Sequence, residues 1–218
     1  MKIINFRFVC ISLFLMVSLV MAQHPYESIW SGLVDEYTHV KKSKGVAYVY
    51  VDYASLVKTQ NFRLLGRILP KIDPDTLTKD AYLSYLINYY NIKVVESVYL
   101  KDSVDMAFFA DIKTLLTDLD VRTLFCLSAD DIYFPNLIAY SSIDLSDQLD
   151  KQVNVTLAKL FRYDKGVGII YVHDWFDQQP FTAEFKQSLI LQGFPKYHTK
   201  KLTIHSSHFG SVSNAIEK

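Results

Sequence analysis

From Thr78 to about Tyr99 the chain carries its longest helix-periodic run, whose central part reads Tyr82-Leu-Ser-Tyr-Leu-Ile-Asn-Tyr-Tyr-Asn-Ile-Lys-Val-Val95. Tyr82, Tyr85, Ile92 and Val95 recur near one stripe, which predicts a core helix capped at its start by Thr76 or Thr78. Two asparagines interrupt the apolar run. Asn88 and Asn91 lie three apart and so project from neighbouring positions on one face. Asn is a poor helix-interior residue, and a buried amide without a partner costs about 1–3 kcal/mol. These amides should therefore be buried and bonded, either as a structural pair pinning loop backbone or as groups orienting a catalytic or ligand atom.

Other segments order themselves around this helix. Pro25 opens a predicted helix to about Ser43, with Ile29, Leu33, Val34, Tyr37 and Val40 at helical spacing. Val46 to Asp52 reads as a strand, Asn61 to Leu69 as a short helix stopped by Pro70, and Asp73-Pro-Asp as a turn. Asp111 to Leu119 reads as a short helix and Val121 to Leu127 as a buried strand with Cys126 near its end. Asp144 to Arg162 is an amphipathic helix, Val167 to Val172 a strand, Phe181 to Leu191 a helix and Lys201 to His205 a last strand. No composition break divides the chain. The expected fold is a single compact, helix-rich α+β domain with a small β-sheet, over residues 23–218.

The first 22 residues are set apart. Lys2 and Arg7 precede an apolar run from Phe8 to Val20, and Val20-Met-Ala22 supplies a cleavage pattern. This predicts a secretory signal peptide cut after Ala22, since the run is short for a membrane span of about 20 residues. The mature chain is then expected to be secreted or extracellular, or periplasmic in a bacterium, with no membrane association after cleavage. Cys10 leaves with the signal and Cys126 stays alone, so the core must hold without an internal disulfide. Asn154-Val-Thr156 matches a glycosylation acceptor, which has meaning only in a eukaryotic exported chain.

Composition narrows the functions. Lys and Arg number 23, as do Asp and Glu, and the basic residues are spread along the chain, so nucleic acid is not an expected partner. His24, His39, His173, His198, His205 and His208 form no metal-ligand spacing. No phosphate loop, dinucleotide fingerprint or nucleophile elbow is present, and neither a metal nor another cofactor is expected. A thiol mechanism would use Cys126 as nucleophile, His173 or His205 as base, and Asn88 or Asn91 to orient the base or donate to an oxyanion.

Several stretches resemble one family in the same order along the chain. They are Trp30-Ser-Gly-Leu-Val, Gly45-Val with Val51-Asp-Tyr-Ala-Ser-Leu56, Leu86-Ile-Asn-Tyr-Tyr-Asn91, Leu124-Phe-Cys-Leu-Ser128 with Phe134-Pro-Asn-Leu137, His173-Asp-Trp-Phe-Asp177, and Phe209 to Asn214. Together they resemble the family called domain of unknown function 547, whose asparagine-bearing helix is its most specific mark. The chain departs from that pattern at Val121 (His in the family), Phe134 (Cys), Leu86 (Trp) and Gly210-Ser211 (Asp-Trp). The resemblance implies a degenerate enzyme-like fold. It also implies a secreted, non-catalytic binding or interaction protein with a protein or small-molecule partner, for which the 15 tyrosines would supply contact area. The thiol-dependent hydrolase or acyl transferase is the alternative.

Overall fold

The computed structural model describes residues 24–43, 46–100, 105–129, 131, 134–164, 166–193 and 203–207. Helix α1, Pro25–Tyr37, starts with Pro at its first position and with His24 Nδ1 accepting from Tyr26 N (3.4 Å). It buries Tyr26, Trp30, Leu33 and Val34. The predicted continuation to Ser43 does not form. Tyr37 O accepts from Asp52 N (2.9 Å), Thr38 is extended, and Thr38–Ser43 becomes β1, antiparallel to β2, Val46–Val51. Val40, placed by spacing on the core stripe, is 62 % exposed on that hairpin. The β-branched Thr38 and Val40 suit an extended backbone better than a helix end.

Asp52 caps the single turn α2, Tyr53–Leu56, and Thr59 caps α3, Gln60–Ile68, by accepting from Phe62 N (3.0 Å). Two 3-10 turns, Leu69–Lys71 and Pro74–Thr76, lead to the central helix α4, Lys79–Leu100. Thr78 Oγ1 accepts from Ala81 N (3.3 Å), so of the two expected caps it is Thr78 that serves. Helix α5, Met106–Leu119, is longer than the sequence suggests because Asp105 caps it one turn earlier, through Phe108 N (3.1 Å). Its Phe108 and Phe109 meet Tyr89 and Tyr90 of α4 edge-on, at 5.3 and 4.8 Å between ring centroids.

The segment expected to be a strand with Cys126 is instead a 3-10 helix, Val121–Cys126. Asp120 causes the change. Its carboxylate accepts from Arg122 N (2.9 Å), and its carbonyl accepts from Thr123 N (3.0 Å) and Thr123 Oγ1 (2.7 Å). The backbone is thereby curled before any ladder can form. Arg122 then reaches Asp120 and Asp150, each at 2.7 Å, bridging to α6, Leu145–Leu160. That helix ends two residues before the predicted Arg162, because Phe161 is already extended.

Phe161–Asp164 is β3, Ile169–His173 is β4 and Thr203–Ser207 is β5. β4 is central, antiparallel to β3 and parallel to β5. The sheet component is therefore two small sheets rather than one. Asp174–Asp177 forms the single turn α7, and Ala183–Gly193 forms α8. One apolar core joins α1, β2, α2, α3, α4, α5, the Val121–Cys126 turn, α6, β3, β4, α7 and α8, with Trp30, Leu56, Leu65, Ile87, Leu116, Phe125, Tyr140 and Phe176 among its fully buried side chains. The fold is α+β and helix-rich. No helix among the described residues is long and apolar enough to cross a membrane.

Candidate functional site

The two asparagines occupy the centre of the molecule at 0 % exposure. Asn88 Nδ2 donates to Tyr140 O (2.8 Å) while its Oδ1 accepts from Tyr140 N (2.9 Å). Asn91 Nδ2 donates to Cys126 O (3.0 Å) while its Oδ1 accepts from Ser128 N (2.9 Å). Each carboxamide thus imitates a neighbouring strand, satisfying one backbone donor and one acceptor in a segment that has no sheet partner. Each Nδ2 thus donates to a backbone carbonyl rather than to a side chain that could serve as a catalytic base.

A third buried group completes the arrangement. Glu27, 1 % exposed, accepts from Ser84 Oγ (3.1 Å), Ser142 N (3.3 Å) and Tyr26 Oη (3.5 Å), joining α1 and α4 to the chain that follows Tyr140. Sequence reasoning missed it, since a lone Glu in the first turn of an amphipathic helix reads as a solvated dipole partner.

Cys126 is brought to Asn91, but by its carbonyl rather than its sulfur. The thiol is 0 % exposed and donates to Arg122 O (3.7 Å). Burial pushes its pKa up to about 12, an effect only partly opposed by the adjoining Tyr140 phenol. The thiolate is the nucleophilic form, and burial of this kind disfavours it.

His173 caps α7. Its Nδ1 lies 3.1 Å from Trp175 N and 2.9 Å from Asp174 Oδ1, so that nitrogen is engaged within its own segment. No hydrogen bond joins Cys126 Sγ to an imidazole among the described residues. His205 pairs with Tyr171 in the backbone register of β4 and β5, and its side chain lies outside the described residues. Cys10, the signal segment and His208 also lie outside them.

Asn154 is exposed on α6, donating to Asp150 O (3.0 Å) and accepting from Gln192 Nε2 (2.9 Å). No group of three or more His, Cys, Asp or Glu side chains able to hold a metal occurs among the described residues. Lys159, 3 % exposed, has an amine buried against protein acceptors: Nζ donates to Phe134 O (2.9 Å) and to Asn136 Oδ1, and burial pushes its pKa down to about 8.

A cleft of about 490 Å³ lies elsewhere, between α3 and α4. Val57, Phe62, Leu69 and Ile92 give it apolar walls, and Lys58, Arg63, Arg67 and Lys93 surround them. Lys93 is paired with Glu96 at 2.7 Å, whereas Lys58, Arg63 and Arg67 have no ion-pair partner among the described residues. Arg63 and Arg67 stand one helical turn apart, an arrangement in which like charges destabilise the helix that carries them. Gly66, between them, lines the cleft, and a Cβ added there would meet nothing within 4 Å. From sequence this segment reads only as a short helix stopped by Pro70, and the cleft it lines was not foreseen. No family model, no curated protein and no solved structure matches the chain.

Proposed function

We propose that this is an exported, non-catalytic binding protein, a divergent chain resembling the domain of unknown function 547 family, that holds a small amphipathic anion in the α3–α4 cleft. The carrying observation is the pairing of apolar walls with three cations that no described carboxylate neutralises. A cleft of about 490 Å³ is within the size range of small-molecule sites. An acidic headgroup at Arg63 and Arg67 would relieve their mutual repulsion, and a short aliphatic or aromatic body would cover Phe62 and Ile92. The thiol-dependent hydrolase or acyl transferase is the second reading. It has little support in a thiol at 0 % exposure whose sulfur faces a carbonyl.

The binding reading is tested with anilinonaphthalene sulfonate as fluorescent probe. One saturable site is expected, displaced by decanoate and not by decanol. Charge reversal at Arg63 and Arg67 should weaken the probe at least about tenfold, the effect of losing about 1.4 kcal/mol. Equal binding by wild type and the reversed variant would sink this reading. Export is tested by N-terminal sequencing: the mature chain should begin at Gln23, and material beginning at Met1 would replace a cleaved signal with a retained anchor.

A further inference from the structure

The charge on the α3–α4 cleft exceeds what one singly charged acid would answer. Lys58, Arg63, Arg67 and Lys93 line it against a single carboxylate, Glu96, so four positive groups and one negative leave a net charge of +3. That carboxylate is already committed, 2.7 Å from the Lys93 amine on the same helix. Helix α3 itself carries no acidic residue from Gln60 to Ile68, so neither arginine has a counter-charge one turn away on its own helix. Among the described residues no ion pair holds Lys58, Arg63 or Arg67.

The walls between these cations ask for something larger than a bare ion. Val57, Phe62, Leu69 and Ile92 are apolar, and inorganic phosphate or sulfate would leave them facing water. The α4 side is firm, because the Tyr89 ring is stacked on Tyr85 at 5.7 Å and meets Phe108 edge-on at 5.3 Å. A ring held in this way need not be ordered when a ligand arrives. A carboxylate or sulfonate brings one negative charge. A phosphate monoester brings about −1.5 to −2 at pH 7 and three acceptor oxygens, enough to meet the fork of one guanidinium and still reach a second cation.

We propose that the ligand of this cleft is a phosphate monoester with a short apolar body. The inference rests on the amphipathic-anion reading of the same cleft and narrows it to one headgroup. The phosphate lies between Arg63 and Arg67, one turn apart on α3, with Lys58 as the third cation, and the body covers Phe62 and Ile92. Glu96 stays with Lys93 and neutralises that amine. The second charge of the phosphate is therefore read by α3 and the residue before it rather than by α4. Such a headgroup occurs on soluble esters and on membrane lipids alike, and vesicles separate the two sources.

Displacement of anilinonaphthalene sulfonate by hexyl phosphate and by hexyl sulfate tests the headgroup, because the two esters differ in charge and hardly in size. At about pH 7.5 hexyl phosphate should bind at least about tenfold more tightly than hexyl sulfate, and inorganic phosphate at least about tenfold more weakly than its hexyl ester. The preference for phosphate over sulfate should fall at least about fivefold by about pH 5, where the phosphate ester keeps one charge. The sulfate holds its charge throughout and so reports any change in the protein itself. Arg67→Gln should reduce the preference to about threefold or less at an unchanged melting temperature. The protein should not co-sediment with phosphatidylcholine vesicles containing phosphatidic acid, which assigns soluble esters; co-sedimentation that is lost in Arg67→Gln would place the same headgroup on a lipid. Equal displacement by hexyl phosphate and hexyl sulfate overturns the inference and leaves the amphipathic-anion reading standing, whereas the absence of any saturable probe site removes both.

Discussion

Asn88 and Tyr140, 52 positions apart in sequence, exchange two hydrogen bonds of 2.8 and 2.9 Å between one side-chain carboxamide and one backbone unit. The same device recurs one helical turn on, where Asn91 spans Cys126 and Ser128. A segment without regular structure normally lies at the surface because its backbone must meet water. These two segments lie inside because α4 carries substitutes for that water.

Replacing either carboxamide leaves a buried backbone donor and acceptor unmet. Asn88→Ala and Asn91→Ala should each lower unfolding stability by about 2–4 kcal/mol, read as a shift of the urea midpoint at constant slope. Asn91→Asp should cost at least as much as Asn91→Ala, because an oxygen would then face Cys126 O. A loss below about 0.5 kcal/mol at both positions would show that the clasps carry no net stability.

Cys126 should resist modification. At pH 8, iodoacetamide should label the native chain at least about 100-fold more slowly than the urea-unfolded chain, because reaction awaits opening of the core. Cys126 also confers a pH dependence of defined sign. The unfolded thiol ionises near pH 8.5, whereas the folded one stays protonated to about 12, so its contribution to stability is full below pH 8.5 and declines as pH rises toward 12. Cys126→Ala should flatten the alkaline limb of the stability curve over that interval.

Lys159 acts in the opposite direction. Its folded pKa of about 8 lies below an unfolded value near 10.4, so between those limits the unfolded chain binds the extra proton. Its contribution is therefore present above the unfolded value and lost as pH falls to about 8. Desolvation of the amine is the main cause, with the Asp131 carboxylate acting against it. The stability of wild type minus that of Lys159→Met should rise between pH 8 and 10, by up to about 3 kcal/mol. A difference that stays flat across this range would show that the amine is not depressed.

Gly66 separates the needs of the helix from those of the cleft. Gly66→Ala should stabilise the protein by about 0.5–1 kcal/mol, since a helical glycine gains an unobstructed methyl group. Gly66→Leu should keep that stability and exclude the anilinonaphthalene sulfonate probe from the cleft. Undiminished probe binding by the leucine variant would move the binding site away from α3.

How legible these features were depended on how local their causes are. Helix α4 could be read directly and its cap narrowed to Thr76 or Thr78, because period and capping act within a few residues. The demand that Asn88 and Asn91 find partners was also legible, although their bonds cross 35 to 52 positions. The partners themselves were only partly so: loop backbone was the expected kind of partner, whereas Tyr140 was not singled out.

The errors have one common form. Val121–Cys126 is rich in strand-forming side chains, and the Asp120 cap overrode them. Thr38–Ser43 continued the α1 period, and an amide from Asp52 ended it. In both places hydrogen bonds at the boundary, reinforced in the second by the β1–β2 ladder, outweighed the propensity of a whole window. The α3–α4 cleft was hidden for another reason, since it is defined by the space between helices and no short motif encodes it.

The clasps also bear on how the molecule breathes. The N–H groups of Ser128 and Tyr140 donate to carboxamides at 0 % exposure, so neither can exchange with solvent deuterium until α4 itself draws away. Irregular chain usually exchanges first. Here two such amides should exchange as late as the interior of the longest helix, and both should accelerate together when that helix loosens.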